Sequence, residues 1–491
     1  MTIDAAINTA FGAVAEAAEK YVFYSVPLEF DSPTGEITQN LPLIVVWLAA
    51  AGIFFSFYLK FANLRYFKHA FDCLTHKYDE PDAKGQISNF DSLSACLSAT
   101  IGLGNIAGVA VAVTVGGPGA AFWMGVMGIL GMGSKFAEVT MGVKYRHFPD
   151  TDRPDEVGGG PMYYLRDAFE NRGMKKIGIF MASFFALCCI AGAIGGGNMF
   201  QANQVFGQAL YVTGGEDSFL HEKGWLFGFV LAVLTGIVTL GGVKTISKVA
   251  AKLTPAMALL YIGAGLVVLA VNYQNIPSAF GKIFDSAWSV EAGWGGLVGA
   301  IIAGVKRATF ANEAGLGTAA IIQASAKTDF PIRQGLVGGL GPFIDTFFVC
   351  MVTALVIIVS GVYDGSAGVQ GIDLTSKAFQ TVFPWFDLVL AVVVFLFAYS
   401  TIIVYSYYGE KCVGFLFGDK KGIAVGFRVV YLLFVVIGAS VSLENVVRFA
   451  DAVFMSMAIP NIIGLYLLAP ELKRDLEEYL LLTGLKKGAE K

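Results

Sequence analysis

Apolar residues along this chain come in long runs rather than in the spaced stripes of a soluble helix. A helix needs about 20 predominantly apolar residues to cross the hydrocarbon core. Eleven runs meet that length or approach it: 41–61, 92–115, 120–143, 177–207, 225–243, 247–272, 296–318, 334–360, 386–409, 422–442 and 446–469. The run 177–207 is long enough to tilt or to project beyond the membrane. Residues 1–20 differ. There Ile3, Ile7, Phe11, Val14 and Ala18 recur at helical spacing opposite Asp4, Asn8, Glu16 and Glu19. That pattern predicts an amphipathic helix lying on the membrane surface. It lacks the basic start and continuous apolar centre of a signal peptide. The predicted class is an all-α polytopic membrane protein.

Composition agrees. Of 491 residues, 55% are hydrophobic and 15% charged, with a mean hydropathy of +0.64; soluble domains carry roughly 25% charged residues. A soluble enzyme and a disordered or fibrous chain are excluded. The 59 glycines suit helices packed closely in a bilayer. A net charge of −4 offers no basic surface for nucleic acid, and no obligatory protein partner is evident. The cysteines (Cys73, Cys96, Cys188, Cys189, Cys350, Cys412) have no Cys-x-x-Cys spacing, so they suggest neither a disulfide framework nor a zinc site. All four histidines lie between apolar runs and give no intramembrane proton relay.

Basic residues set the orientation. One alternate set of loops (60–90, 144–176, 244–248, 327–333, 411–428 and 473–491) carries 25 Lys and Arg, and the other set carries 5. With eleven spans, the C-terminus is expected in the cytoplasm and the N-terminus outside, in the plasma or inner cell membrane.

Two runs are interrupted. The second holds Ser98-Ala-Thr-Ile-Gly-Leu-Gly-Asn105, and the seventh holds Phe310-Ala-Asn-Glu-Ala-Gly-Leu-Gly317. Glycine pairs ease unwinding, and polar residues at membrane depth are costly unless they line a cavity. The two runs are five spans apart, so a second five-helix unit enters upside down relative to the first. Interrupted helices at matching positions of two inverted halves point to a secondary transporter's binding site. The expected organisation is a surface helix and lead-in over 1–30, an extra span at 41–61, repeats at 92–272 and 296–469, and a tail at 470–491. The glycines Gly125, Gly128, Gly131 and Gly133 of the third run read instead as a close-packing surface.

At these residues the chain resembles the alanine or glycine:cation symporter family. The stretches that carry the resemblance are Ala99–Ala110, Gly116-Gly-Pro-Gly-Ala-Ala-Phe-Trp123, Gly158-Gly-Gly-Pro-Met-Tyr-Tyr164, Phe310–Gly317, and Ala398-Tyr-Ser-Thr401 with Ser406-Tyr-Tyr-Gly-Glu-Lys411. They extend over most of the chain, from about 90 to 470. The resemblance implies a LeuT-type 5+5 inverted repeat, sodium as the coupling ion with no other cofactor, and small neutral amino acids as substrates. Family members often carry tryptophan where Tyr405 stands and threonine where Leu103 stands.

An amino acid needs donors for its carboxylate and acceptors for its ammonium. Unwound backbone at Gly102 and Gly104 can supply N–H groups, and Asn105 can donate and accept, or make an interhelical hydrogen bond instead. Asn198 and Gln201 share a helical face, lining the cavity or bonding within the bundle. Phe310 and Tyr405 are candidate apolar walls. Ser400 and Thr401 put adjacent hydroxyls in an apolar span, where they can hold sodium or bond back to their own helix. The resemblance adds carbonyls of Ser98, Ile101 and Ala398 to that set. Lys135 and Glu138, three apart, read as an ion pair. Lys306, Arg307, Glu313 and Asp345 can pair across helices or gate the pathway.

Three rivals remain. Glu313 or Asp345 could carry a proton in place of sodium. A channel usually needs a symmetric filter, whereas this chain has two unlike broken helices. A membrane-embedded enzyme finds no His-Glu-x-x-His, Gly-x-Ser-x-Gly or Walker A sequence here.

Overall fold

The computed structural model describes residues 2–32, 35–75, 77–78, 83–148, 157–240, 242–289, 294–365, 371–418 and 420–485. Of the basic residues counted above, Arg153, Lys486, Lys487 and Lys491 lie outside these ranges.

The Thr2 hydroxyl accepts from Ala5 N and caps α1 (Ile3–Val22), with Asp4 in the first turn. Its apolar face is turned partly onto the protein. Phe11 and Ala15 are buried, while Ile3 and Val14 stay exposed. The strands β1 (Ser25–Ser32) and β2 (Gly35–Pro42) follow as an antiparallel pair with Val26 opposite Leu41. The hydrophobic pattern does not announce this hairpin.

The helices continue as α2 (Leu43–Tyr58), α3 (Asn89–Thr100), α4 (Ala107–Gly116), α5 (Gly119–Lys144), α6 (Lys175–Val212), α7 (Gly224–Thr239) and α8 (Gly242–Val271). The second part of the chain contains α9 (Trp294–Asn312), α10 (Thr318–Gln323), α11 (Pro331–Ser360), α12 (Phe386–Phe417), α13 (Lys421–Ser440), α14 (Leu443–Ser456) and α15 (Ala458–Leu482). Among the described residues, seven helices are long and apolar enough to cross a membrane: α5, α6, α8, α11, α12, α13 and the run Leu443–Leu482. An eighth span is the pair Asn89–Thr100 and Leu103–Gly116, bent by 58°. Of the eleven runs expected from the sequence, α2 and α7 are apolar helices of 16 residues, about 24 Å long at 1.5 Å per residue. The seventh run is divided between α9 and α10.

The core is built around α5, most of it buried. Its glycines let neighbours in. A Cβ on Gly133 would lie 2.9 Å from the Ser56 backbone nitrogen of α2, and one on Gly142 would lie 2.8 Å from Ala320 of α10. Two helices depart from α geometry without ending. Gly195–Met199 in α6 and Phe343–Cys350 in α11 are wide turns with i→i+5 bonding, a feature common at functional sites. All six cysteines are buried, and none is in a disulfide.

Candidate functional site

The first break begins where α3 runs out. Ser88 caps its start, its hydroxyl accepting from Asp91 N at 3.0 Å. The backbone turns extended at Gly102 (φ −127°, ψ −158°) and re-enters a helix after Asn105. A Cβ on Gly102 would lie 2.7 Å from Thr401 Oγ1 and 3.3 Å from Gln201 Oε1. Only a residue without a side chain lets α6 and α12 close on the unwound segment. At Gly104 a Cβ would meet the Phe310 ring at 3.1 Å, so the second broken helix closes on the first.

Asn105 uses both ends of its amide on protein. Its Oδ1 accepts from Gly102 N at 3.1 Å, and its Nδ2 donates to the Asp345 carbonyl at 3.0 Å. It fastens the unwound segment to the wide turn of α11. Gln201 does the same from α6: Oε1 accepts from Leu103 N at 3.2 Å, and Nε2 donates to the Gly196 carbonyl at 3.0 Å. Asn198 turns elsewhere, donating to the Tyr431 carbonyl at 2.6 Å. The two amides that share a face by sequence spacing are thus parted, and only Gln201 joins the break.

Three expected cation ligands converge. Thr401 Oγ1 donates to the Ser98 carbonyl at 3.0 Å, and Ser400 Oγ lies 3.3 Å from it. Both hydroxyls also donate back to the Phe397 carbonyl, at 2.9 and 3.0 Å. The hydroxyls thus bond back to their own helix and also reach across to the Ser98 carbonyl of α3. Ile101 and Ala398 are buried in the same stretches of α3–α4 and α12, without a hydrogen bond to either hydroxyl. The Ser98 hydroxyl is buried with no partner, leaving one more oxygen in the cluster. This is a donor set of hard oxygens.

The second break runs from Asn312 to Thr318 and holds three left-handed residues: Glu313 (φ +56°), Gly315 (φ +90°) and Gly317 (φ +85°). Such a conformation is costly for the non-glycine Glu313 and is kept only where the surroundings enforce it. Its carboxylate accepts from the Thr318 hydroxyl. Here the expected Lys135–Glu138 ion pair is corrected. Lys135 Nζ donates to the Asn312 carbonyl at 2.7 Å. Glu138 Oε1 accepts from Gly317 N at 3.1 Å and from Asn461 Nδ2 at 3.0 Å. Neighbouring backbone satisfies each group better than its i+3 partner.

Phe310 and Tyr405 belong to one aromatic cluster. Phe310 meets Phe200 edge-on at 5.1 Å and lies 4.9 Å from Phe454, against which Tyr405 stacks at 5.5 Å. A Cβ on Gly197 would come within 2.1 Å of Tyr405 Cγ, so the ring occupies the space that this glycine leaves. Above the cluster, Asp451 pairs with Arg307 and, at 2.9 Å, with Lys306. The Arg307 guanidinium lies 5.3 Å from the Phe310 ring centre. Asp345 accepts from Thr346 at 2.7 Å through one oxygen and leaves the other without a partner.

Two further residues, Arg146 and Asn461, brace the breaks without standing out in the hydrophobic pattern. Arg146, by sequence only one of the loop cations, donates to the carbonyls of Lys84, Ala324, Ala326 and Thr328 at 2.7–2.9 Å. It ties the lead-in of α3 to the end of α10. Asn461 holds the Gly315 carbonyl at 2.9 Å. Four carbonyls around one guanidinium leave no mark in a hydrophobic pattern, although a lone Asn in the last apolar run was a visible signal. Away from the breaks, a cavity of about 450 Å³ opens between α1, Gln204 of α6, Asp373 and the start of α14.

The sodium:alanine symporter family model matches residues 30–490. The chain is 43% identical over 432 residues to the sodium/alanine symporter AgcS of Methanococcus maripaludis, covering 87% of this chain and 92% of that protein. It is 33% identical to the probable sodium/glutamine symporter GlnT of Bacillus subtilis (89% and 87% covered). It is 32% identical to the putative sodium/proton-dependent alanine carrier protein YrbD of the same organism (92% of each). Among solved structures, MhsT in complex with L-phenylalanine superposes with a TM-score of 0.51 at 16% identity, over 81% of this chain and 99% of that one. That likeness gives the fold, a LeuT-type arrangement.

Proposed function

The chain belongs to the sodium:alanine symporter family, and from that premise we propose that it carries alanine or glycine into the cell with sodium by alternating access. It is a transporter, not an enzyme. The observation that carries this reading is the meeting of the Ser98 carbonyl with the Ser400 and Thr401 hydroxyls beside the first break. In this reading those hydroxyls turn to sodium, joined by carbonyls of Ser98, Ile101 and Ala398. The unwound backbone at Gly102 and Gly104 receives the substrate carboxylate, with Gln201 and Asn105 beside it. Phe310 and Tyr405 close over a small side chain. Asn198, engaged with Tyr431, serves packing.

The same proposal counts eleven spans by adding α2, α7 and the α9–α10 segment. The units α3–α8 and α9–α15 are then inverted five-span repeats, with the N-terminus outside and the C-terminus in the cytoplasm. The cavity under α1 becomes an outer vestibule, and the Asp451 pairs close the path between it and the aromatic cluster.

Purified protein in liposomes should accumulate labelled alanine when an inward sodium gradient is imposed, and should not respond to potassium. A second reading, proton coupling, is favoured by one observation: the buried Asp345 carboxylate with its unpartnered oxygen. Uptake that ignores sodium and follows a pH gradient would select it.

A further inference from the structure

Two buried charges lie outside the ligand sets just described, and both touch the second break. Lys135 and Glu138 are fully buried and one turn apart on α5. The helix α9 ends with the Asn312 carbonyl outside the helical ladder, past the Thr309 carbonyl that still accepts from Glu313 N, and α10 begins with N–H groups that have no helical acceptor before Ala320. The ammonium of Lys135 takes the carbonyl of Asn312, the last residue of α9. The carboxylate of Glu138 takes the N–H of Gly317, the residue that precedes α10. Each charge has the sign that its helix end attracts. Between these points, Asn461 donates to both Glu138 and the Gly315 carbonyl, and Tyr164 donates to Asn461. The break is therefore held at Asn312, Gly315 and Gly317 by side chains of other helices, while Glu313 keeps its left-handed backbone.

We propose that Lys135 and Glu138 act as a splint of matched charge that sets the shape of the second break, and through it the affinity for both sodium and amino acid, without touching either. They are positioning residues. A break held in one shape keeps Phe310 against Gly104 and so holds the two broken helices in register. The ligand part of the proposal rests on the transport reading above; the backbone part does not.

The test uses the full chain, comparing Glu138→Gln and the double reversal Lys135→Glu/Glu138→Lys with wild type. Hydrogen exchange of the peptide covering 310–320 reads the splint without any need for transport. It should rise at least about tenfold in Glu138→Gln, with exchange in α6 and α12 unchanged. In liposomes the same variant should raise the alanine KM and the sodium half-saturation together, about five- to tenfold, and Glu138→Asp should recover part of both. The double reversal keeps the mutual attraction of the two groups but aims each at the wrong helix end, so it should lose transport at least about a hundredfold. Wild-type exchange in Glu138→Gln overturns the proposal, as does a shift in only one of the two constants. Normal transport by the reversed variant also overturns it, because an ordinary ion pair would then suffice. Should the reversed chain fail to accumulate, exchange in Glu138→Gln decides alone. A wild-type chain that moves no alanine with sodium counts against the transport reading, and the exchange data still judge the splint.

Discussion

On the transport reading, the Thr401 side chain would serve two states. Its hydroxyl now donates to Ser98 and Phe397 carbonyls, and around a cation it would turn its lone pairs inward. Replacing it by alanine removes one hard oxygen, at a cost of about 1–3 kcal/mol, or roughly 5- to 150-fold in affinity. Thr401→Ala should therefore raise the sodium half-saturation of alanine binding. Excess sodium should restore alanine affinity, because coupling between two ligands is reciprocal. Titrating alanine binding at low and high sodium checks this, and a loss that sodium cannot rescue would rule out a coordinating role. The residue types at the breaks were legible in the sequence, because polar groups beside paired glycines at membrane depth have few uses. Their partners were not. Asn105 reads as a ligand by type, yet its amide is taken up by Gly102 and Asp345. Spacing along a helix gives a face, and it does not give what stands opposite.

Among the elements, α9 and α14 meet through buried charge as well as through the Phe310–Phe454 ring contact. Asp451, 1% exposed, faces both Arg307 and Lys306. Removing one partner of a buried pair strands the other in an apolar setting, at about 3–5 kcal/mol. Asp451→Asn should lower the melting temperature of the detergent-purified protein by several degrees and speed reagent access to the aromatic cluster. An unchanged melting curve would show that the pair is solvated and holds little. Most helices were legible because an apolar run of membrane length has one use. The β1–β2 hairpin was not, since its alternation is weak and interrupted by Pro27 and Asn40. The outer edges of the breaks were also hidden. Gly315 and Gly317 marked the second, but the brace from Lys135 and Glu138 comes from a helix whose own spacing suggested a simpler pairing.

For the molecule as a whole, the lopsided distribution of Lys and Arg predicts which side each loop faces. Lys176 is exposed at the start of α6, and the native cysteines are all buried, so Lys176→Cys gives a low thiol background. An impermeant maleimide should label it in inside-out vesicles and not in intact cells. Labelling of intact cells would invert the orientation or change the span number by one.

The wide turn in α6 has a consequence in the arithmetic of the gene. It holds one residue more than an α-helical turn, inside Gly195–Met199, and everything beyond it faces where it does because of that surplus. Deleting one codon among Gly195, Gly196 and Gly197 would restore ordinary helical phase and remove no side chain from the protein. It would also swing Gln201 by about 100° about the helix axis, away from Leu103 N. At this position the number of residues matters as much as their identity. Variation in this segment should therefore keep its length as well as its glycines, whose Cβ positions are filled by Val453, Phe454 and Tyr405.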